Sequence, residues 1–148
     1  MTKDRTLKLI KDYTPCPALE NDELFPNGIF VFNISKIIEH IASGQLVVKQ
    51  EDICVKDWYN SHFTAGYLNE KYLKTVTLGI PVILGEISPG KYNIIDGNHR
   101  LEKAYREKVE YIKSYKLKGE QLIDYFINSR GYQSFVPYWN SKIQDLKT

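Results

Sequence analysis

Apolar positions along the 148 residues change period several times, and each change marks an element. Ile34, Ile37, Ile38 and Ile41 recur at the spacing of one helix face, with Asn33 or Ser35 placed to cap its start and Gly44 to end it. The run Leu46, Val47 and Val48 predicts a short strand. The polar, aromatic stretch that follows, through "WYNSHFTAG", shows no clear period and reads as a loop. Asn69 opens a second helical segment in which Tyr72, Leu73 and Val76 share a face, closed by Gly79-Ile80-Pro81. "PVILGEI" reads as a buried strand, Ser88-Pro89-Gly90-Lys91 is a turn by composition, and "KYNIID" completes a hairpin. That strand passes through Gly97 into a helix with the apolar face Leu101, Ala104 and Tyr105. Val109, Tyr111, Tyr115 and Leu117 then keep one parity, as a strand would, and Leu122, Ile123 and Phe126 predict a closing helix. The tail "GYQSFVPYWNSKIQDLKT" is aromatic enough to pack across a core.

Composition narrows the class. With 43% hydrophobic and 13% aromatic residues, the chain can bury an ordinary core as one globular unit. Twenty Lys and Arg against 18 Asp and Glu leave a net charge of +2, which makes no broad field for a nucleic-acid backbone, so nucleic acid is not the favoured partner. Cys16 and Cys54 stand apart without a C-x-x-C or a Cys/His cluster, which predicts reduced thiols and neither zinc site nor disulfide. "MTKDRTLKLIKDYT" lacks a signal-peptide core, and no apolar run approaches the roughly 20 residues of a membrane span, so the expected location is the cytoplasm.

The chemistry gathers in "IIDGNHRL", residues 94 to 101. A strand that turns through a glycine into a helix leaves the first helical N–H groups unpartnered at the positive end of the dipole, which is an anion site. Gly97 lets backbone approach a phosphate; His99 and Arg100 can add charge-assisted donors, Arg100 as a fork. Asp96 would repel a bare phosphate and fits a Mg²⁺ ligand, a holder of a neighbouring group or a general base. Ordinary turn chemistry, with Asp96 as a cap and His99 and Arg100 as a solvated first turn, accounts for the same residues on composition alone.

The stretch "PVILGEISPGKYNIIDGNHRLEKAYREKVEYIKSYKL" resembles the ParB/sulfiredoxin-like superfamily in motif and in element order, over about residues 69 to 127 and only loosely before them. The resemblance implies a single α/β (α+β) domain, a small mixed sheet flanked by helices, over residues 29 to 148 after a loop-rich arm of residues 1 to 28. It implies that Gly97, Asn98, His99 and Arg100 bind nucleotide phosphates. Asn98 stands where sulfiredoxins carry the reacting cysteine of G-C-H-R, which argues against sulfinic-acid reduction. ParB partition proteins carry further DNA-binding and dimerisation domains for which this chain has neither length nor basic balance. The D-G-x-H-R form is nearer to stand-alone ParB-like domains and to free serine kinases, in which an acid from the first half acts as base. Glu51, Asp52 and Asp57 are the candidates. The expectation is therefore ATP, ADP or CTP with Mg²⁺ held at Asp96, and nucleotide hydrolysis or phosphoryl transfer to a small hydroxyl substrate. A non-catalytic nucleotide-sensing or protein-interaction module, and a metal-dependent ParB-like nuclease, are the alternatives.

Other polar and aromatic residues read more plainly. His62 could reach the cleft from its loop but reads better as a partly exposed loop histidine. His40, off the isoleucine face, reads as surface. Trp58 and Tyr59 could stack a base, with core packing favoured for at least one. Lys113, Lys116 and Lys118 read as a solvated strand edge, and Arg106 and Lys108 suit the carboxyl end of a helix. Cys54 shows no neighbour that would activate it.

Overall fold

The computed structural model describes residues 4 to 61 and 69 to 147. Asn33 caps α1 (Ile34–Ser43) by accepting from the Lys36 N–H, and Gly44 ends it at φ 80°, as the isoleucine spacing predicts. Among the described residues, six strands form a small α+β arrangement with helices. A hairpin of β1 (Leu24–Asn27) and β2 (Phe30–Asn33) forms one sheet, and a second, four-stranded sheet is ordered β3 (Lys49–Cys54), β6 (Tyr111–Leu117), β4 (Val82–Ser88), β5 (Lys91–Asp96). β6 runs antiparallel to β3 and parallel to β4, so the sheet is mixed. Pro89 and Gly90 connect β4 to β5, with Gly90 at φ 77° in the turn.

Several local expectations are corrected. The strand read at residues 46 to 48 lies at Lys49–Cys54, and a helix, α2 (Val55–Ser61), follows it where a loop was expected. β3 is an edge strand with only Ile53 fully buried, so solvent on both sides hid its alternation. Lys113 and Lys116 lie on β6, an interior strand, not on a sheet edge. The segment opened by Asn69 keeps a single turn, α3 (Glu70–Leu73). After β6, the closing helix is reduced to α5 (Gly119–Leu122) and a 3₁₀ turn (Ile123–Tyr125), and the aromatic tail is itself an 18-residue helix, α6 (Ser129–Leu146). His62 lies outside the described residues.

The chain clusters into two units. The first takes residues 4 to 47, 86 to 91 and 118 to 147; the second takes 48 to 61, 69 to 85 and 92 to 117. An aromatic core holds the first: Phe126 packs on Phe32 with centroids 4.7 Å apart and on Phe135 at 5.2 Å, and Tyr13 stacks on Tyr132 at 3.8 Å. His40, half-buried at the edge of this core, meets it through Nδ1, which shares a 2.8 Å hydrogen bond with the Tyr125 hydroxyl. Burial pushes that hydroxyl up to about 12. In the second unit, α4 (Asn98–Arg106) lays Leu101 and Ala104 on a sheet face made by Ile53, Ile112, Val82, Leu84 and Ile94. Trp58 and Tyr59 pack against the same cluster.

Two carboxylates are buried in these units. Glu86, 2% exposed, lies in the apolar run of β4 and is matched on every side. Arg5 donates to both of its oxygens at 2.9 and 2.5 Å, and the backbone N–H groups of Gly90 and Gly119 donate at 2.7 and 3.0 Å. Burial pushes this carboxyl up, but Arg5 and the two amides outweigh it and hold it below its ordinary range. Glu102, on α4, accepts from the Tyr59 hydroxyl and from Arg106, both at 3.1 Å.

Candidate functional site: the turn into α4

Gly97 sits between β5 and α4 at φ 108°, in the left-handed region that favours glycine. Space demands glycine as well as backbone. A Cβ there would stand 2.6 Å from Val82 Cγ1, and 2.8 and 3.0 Å from two nitrogens of the Arg100 guanidinium. The first intrahelical bond runs from Leu101 N–H to the Gly97 carbonyl at 3.0 Å, and no side chain caps the start. The N–H groups of Asn98, His99 and Arg100 therefore sit at the positive end of α4 without intrahelical acceptors.

Arg100 folds back across Gly97 and donates to Asp96 Oδ2 at 3.0 Å; both side chains are mostly buried, at 14% and 15% exposure. Of the three roles open to Asp96, the one visible here is holding a neighbouring side chain. The pair is incomplete: Arg100 Nε is buried with no hydrogen-bond partner. Leaving a buried charged donor unmatched is costly, and that nitrogen lies against Gly97, where the backbone is barest.

His99 turns sideways. Its Nε2 accepts from the backbone N–H of Asn69 at 3.1 Å, and its ring meets Tyr72 edge-on at 4.7 Å. A nitrogen that accepts carries no proton, so this ring is the neutral tautomer with hydrogen on Nδ1. Asn69 in turn caps α3 through its side chain, so the histidine ties α3 to the start of α4. Asn98 is exposed.

The early acids separate by position. Glu51 pairs across β6 with Ser114, which pairs with Val82, so two strand spacings, about 10 Å, separate Glu51 from the residue that touches Gly97. It shares strand parity with Ile53, which faces α4. Lys116 donates to Glu51 at 3.0 Å and, with Lys49 at 3.5 Å, holds this carboxyl below its ordinary range. The Lys116 ammonium also sits 4.3 Å from the centre of the Tyr92 ring. Asp52 has the opposite parity and pairs with Lys113. Asp57 is exposed in the first turn of α2, where the neighbouring Val55 and Lys56 face the last turn of α4; the first turn of α4 is a helix length away. Glu51 thus shares a sheet face with Val82 at two strand spacings, and Asp57 lies on α2, away from the turn.

Asn69, Tyr72 and Val82 border the turn and were not among the sequence candidates. A capping asparagine ahead of α3 was visible in the sequence, but nothing local showed that its backbone would meet a histidine 30 residues on. Comparison with family models, with curated proteins and with solved structures returns no match for this chain. No helix among the described residues is long and apolar enough to cross a membrane.

Proposed function

We propose that the turn Asp96 to Arg100 binds the phosphates of a nucleoside di- or triphosphate, with hydrolysis or phosphoryl transfer to a small hydroxyl substrate as the activity. The observation that carries this reading is the buried, unmatched Arg100 Nε lying over Gly97 at an uncapped helix start. A phosphate oxygen supplies what that nitrogen lacks and also meets the free amides of α4. Arg100 is the principal donor. His99, neutral and engaged with Asn69, positions α3 and the turn and adds no charge of its own.

A Mg²⁺ fits the turn only as a companion of the nucleotide. Among the described residues no group of three or more His, Cys, Asp and Glu gathers. Asp96 is the carboxylate at the turn, and one protein carboxylate suffices when phosphates and water supply the remaining oxygens. Bound Mg²⁺ neutralises charge on the phosphates. Glu51 is the acid best placed to orient an acceptor hydroxyl, since Lys116 keeps it ionised.

That same pairing of Glu51 with two lysines favours a second reading, nucleotide sensing without catalysis, because a carboxyl held below its ordinary range is a weak base. A thermal-shift screen with ATP, ADP, CTP and GTP, each with and without Mg²⁺, tests the shared premise. Ligand at about 100 times its dissociation constant stabilises by roughly 2.7 kcal/mol. No shift with any of the four in a folded sample removes the proposal. Phosphate release in the presence of the shifting nucleotide then separates enzyme from sensor.

A further inference from the structure

The carboxyl end of α4 closes through a left-handed residue. Lys108 N–H donates to the Tyr105 carbonyl at 3.2 Å and Val109 N–H to the Ala104 carbonyl at 2.9 Å, the paired bonds of a Schellman end, which require positive φ at the residue before Val109. Glycine takes that conformation without strain, yet the residue is Lys108, at φ 58° the one non-glycine residue with positive φ among those described. A side chain held against the backbone's preference in this way points to a task for the side chain.

Its surroundings supply the task. Lys108 stands on the wall of a cavity of about 950 Å³ between α2 and the last turn of α4, a volume that suits a small molecule. Val55, Val109, Tyr59 and Tyr105 give the cavity its apolar wall. The two tyrosines are stacked 3.7 Å apart and 7° from parallel, a flat and rigid surface, and Tyr105 is 39% exposed.

The charges around this wall are unequally committed. Glu102 and Arg106 hold each other, and Arg106 is further clamped by both oxygens of Glu70. Lys56 and Lys108 also line the cavity and enter no ion pair among the described residues. Against these two stands the exposed carboxylate of Glu110, so the uncommitted groups carry a positive surplus. The bonds made by Lys108 and Val109 occupy two of the last carbonyls of α4, which reduces the repulsion a helix carboxyl end exerts on an anion.

We infer that this cavity binds a small organic anion with a flat apolar body, the ring system against the Tyr59 and Tyr105 pair and the carboxylate or sulfonate between Lys56 and Lys108. The site lies at the opposite end of α4 from Arg100 and is independent of the nucleotide reading. The probe is 1-anilinonaphthalene-8-sulfonate, followed by fluorescence on the full chain, with naphthalene-2-carboxylate and its neutral alcohol analogue as competitors. The carboxylate should displace it at least about tenfold better than the alcohol. Lys108→Gly should weaken the probe about tenfold while raising Tm by about 3 °C, since strain is relieved as the cation is lost. Lys56→Ala, on an exposed helix position, should weaken binding with Tm unchanged. Equal potency of acid and alcohol, or unchanged affinity in both lysine variants, would overturn the inference.

Discussion

Two arginine–carboxylate pairs, each set against a glycine, behave differently. Around Glu86 every acceptor is used: Arg5 donates twice, and the amides of Gly90 and Gly119 complete the set. At Asp96 a single bond reaches Arg100, and the neighbouring Nε has no partner. A saturated buried pair has nothing left to offer a ligand; its removal exposes unmatched groups on all sides. An unsaturated one keeps a donor in reserve, at a cost in stability that a bound anion can return. The contrast separates a joint of the scaffold from a candidate site, although both pairs have the same chemical type.

The sharpest test breaks the saturated pair. Glu86→Ala should destabilise by about 3 kcal/mol, because it strands two backbone amides and leaves Arg5 only its bonds to Glu120, and urea unfolding would show the midpoint fall. The same carboxyl predicts a pH signature. Its folded pKa is depressed, so its stabilisation is fully present above the unfolded carboxyl value near 4.3 and is lost as pH falls through the lower folded value. Glu86→Gln should flatten that acid limb, measured as unfolding midpoint against pH; an unchanged limb would mean that other carboxyls control it.

Next come the glycines. A Cβ at Gly119 would overlap the ring of Trp139, so Gly119→Ala should cost about 2 kcal/mol, and Trp139→Phe in the same chain should recover part of it, a coupling that a double-mutant cycle reads directly. Weakening the unsaturated pair should do less to the fold: Asp96→Asn should cost under about 1 kcal/mol, whereas Arg100→Ala should abolish any thermal shift from nucleotide. A full nucleotide shift in the Arg100 variant would place the phosphates elsewhere. The smallest effect belongs to Arg106 and Glu70, both largely exposed, where Glu70→Gln should leave the urea midpoint unchanged.

What the sequence made legible followed from how one-sided each element is. The Ile34 and Ile37 face, capped by Asn33 and closed by Gly44, carries its whole signal within a dozen residues. The junction at Gly97 was equally local, since a glycine between an apolar strand and a helical period allows few alternatives. α6 was missed for a specific reason: Tyr132, Phe135, Val136 and Trp139 have helical spacing, but Gly131 and Pro137 interrupt the stretch and suggested irregular chain. α2 carried Val55, Trp58 and Tyr59 at the same spacing in only two turns, too few to stand out. Glu86, a charge inside an apolar strand run, was passed over in the sequence, and its partner could not be read locally, because Arg5 lies 81 residues away. Contacts such as Asn69 to His99 and Glu51 to Lys116 likewise depend on strand order and helix placement.

The first unit has a consequence for synthesis. Its closing bonds join the beginning of the chain to the last helix: Trp139 Nε1 donates to the Arg5 carbonyl, Asn140 exchanges bonds with the Leu7 backbone, and the Tyr132 hydroxyl accepts from Ile10. A ribosome releases Arg5 first and Trp139 more than a hundred residues later. Arg5 can meet Glu86 earlier, but the bonds to α6 must wait, so the unit closes only after α6 emerges. Truncation ahead of Tyr132 should leave the amino-terminal segment open to protease, while residues 48 to 117, contiguous except for the hairpin tip, have already been delivered together.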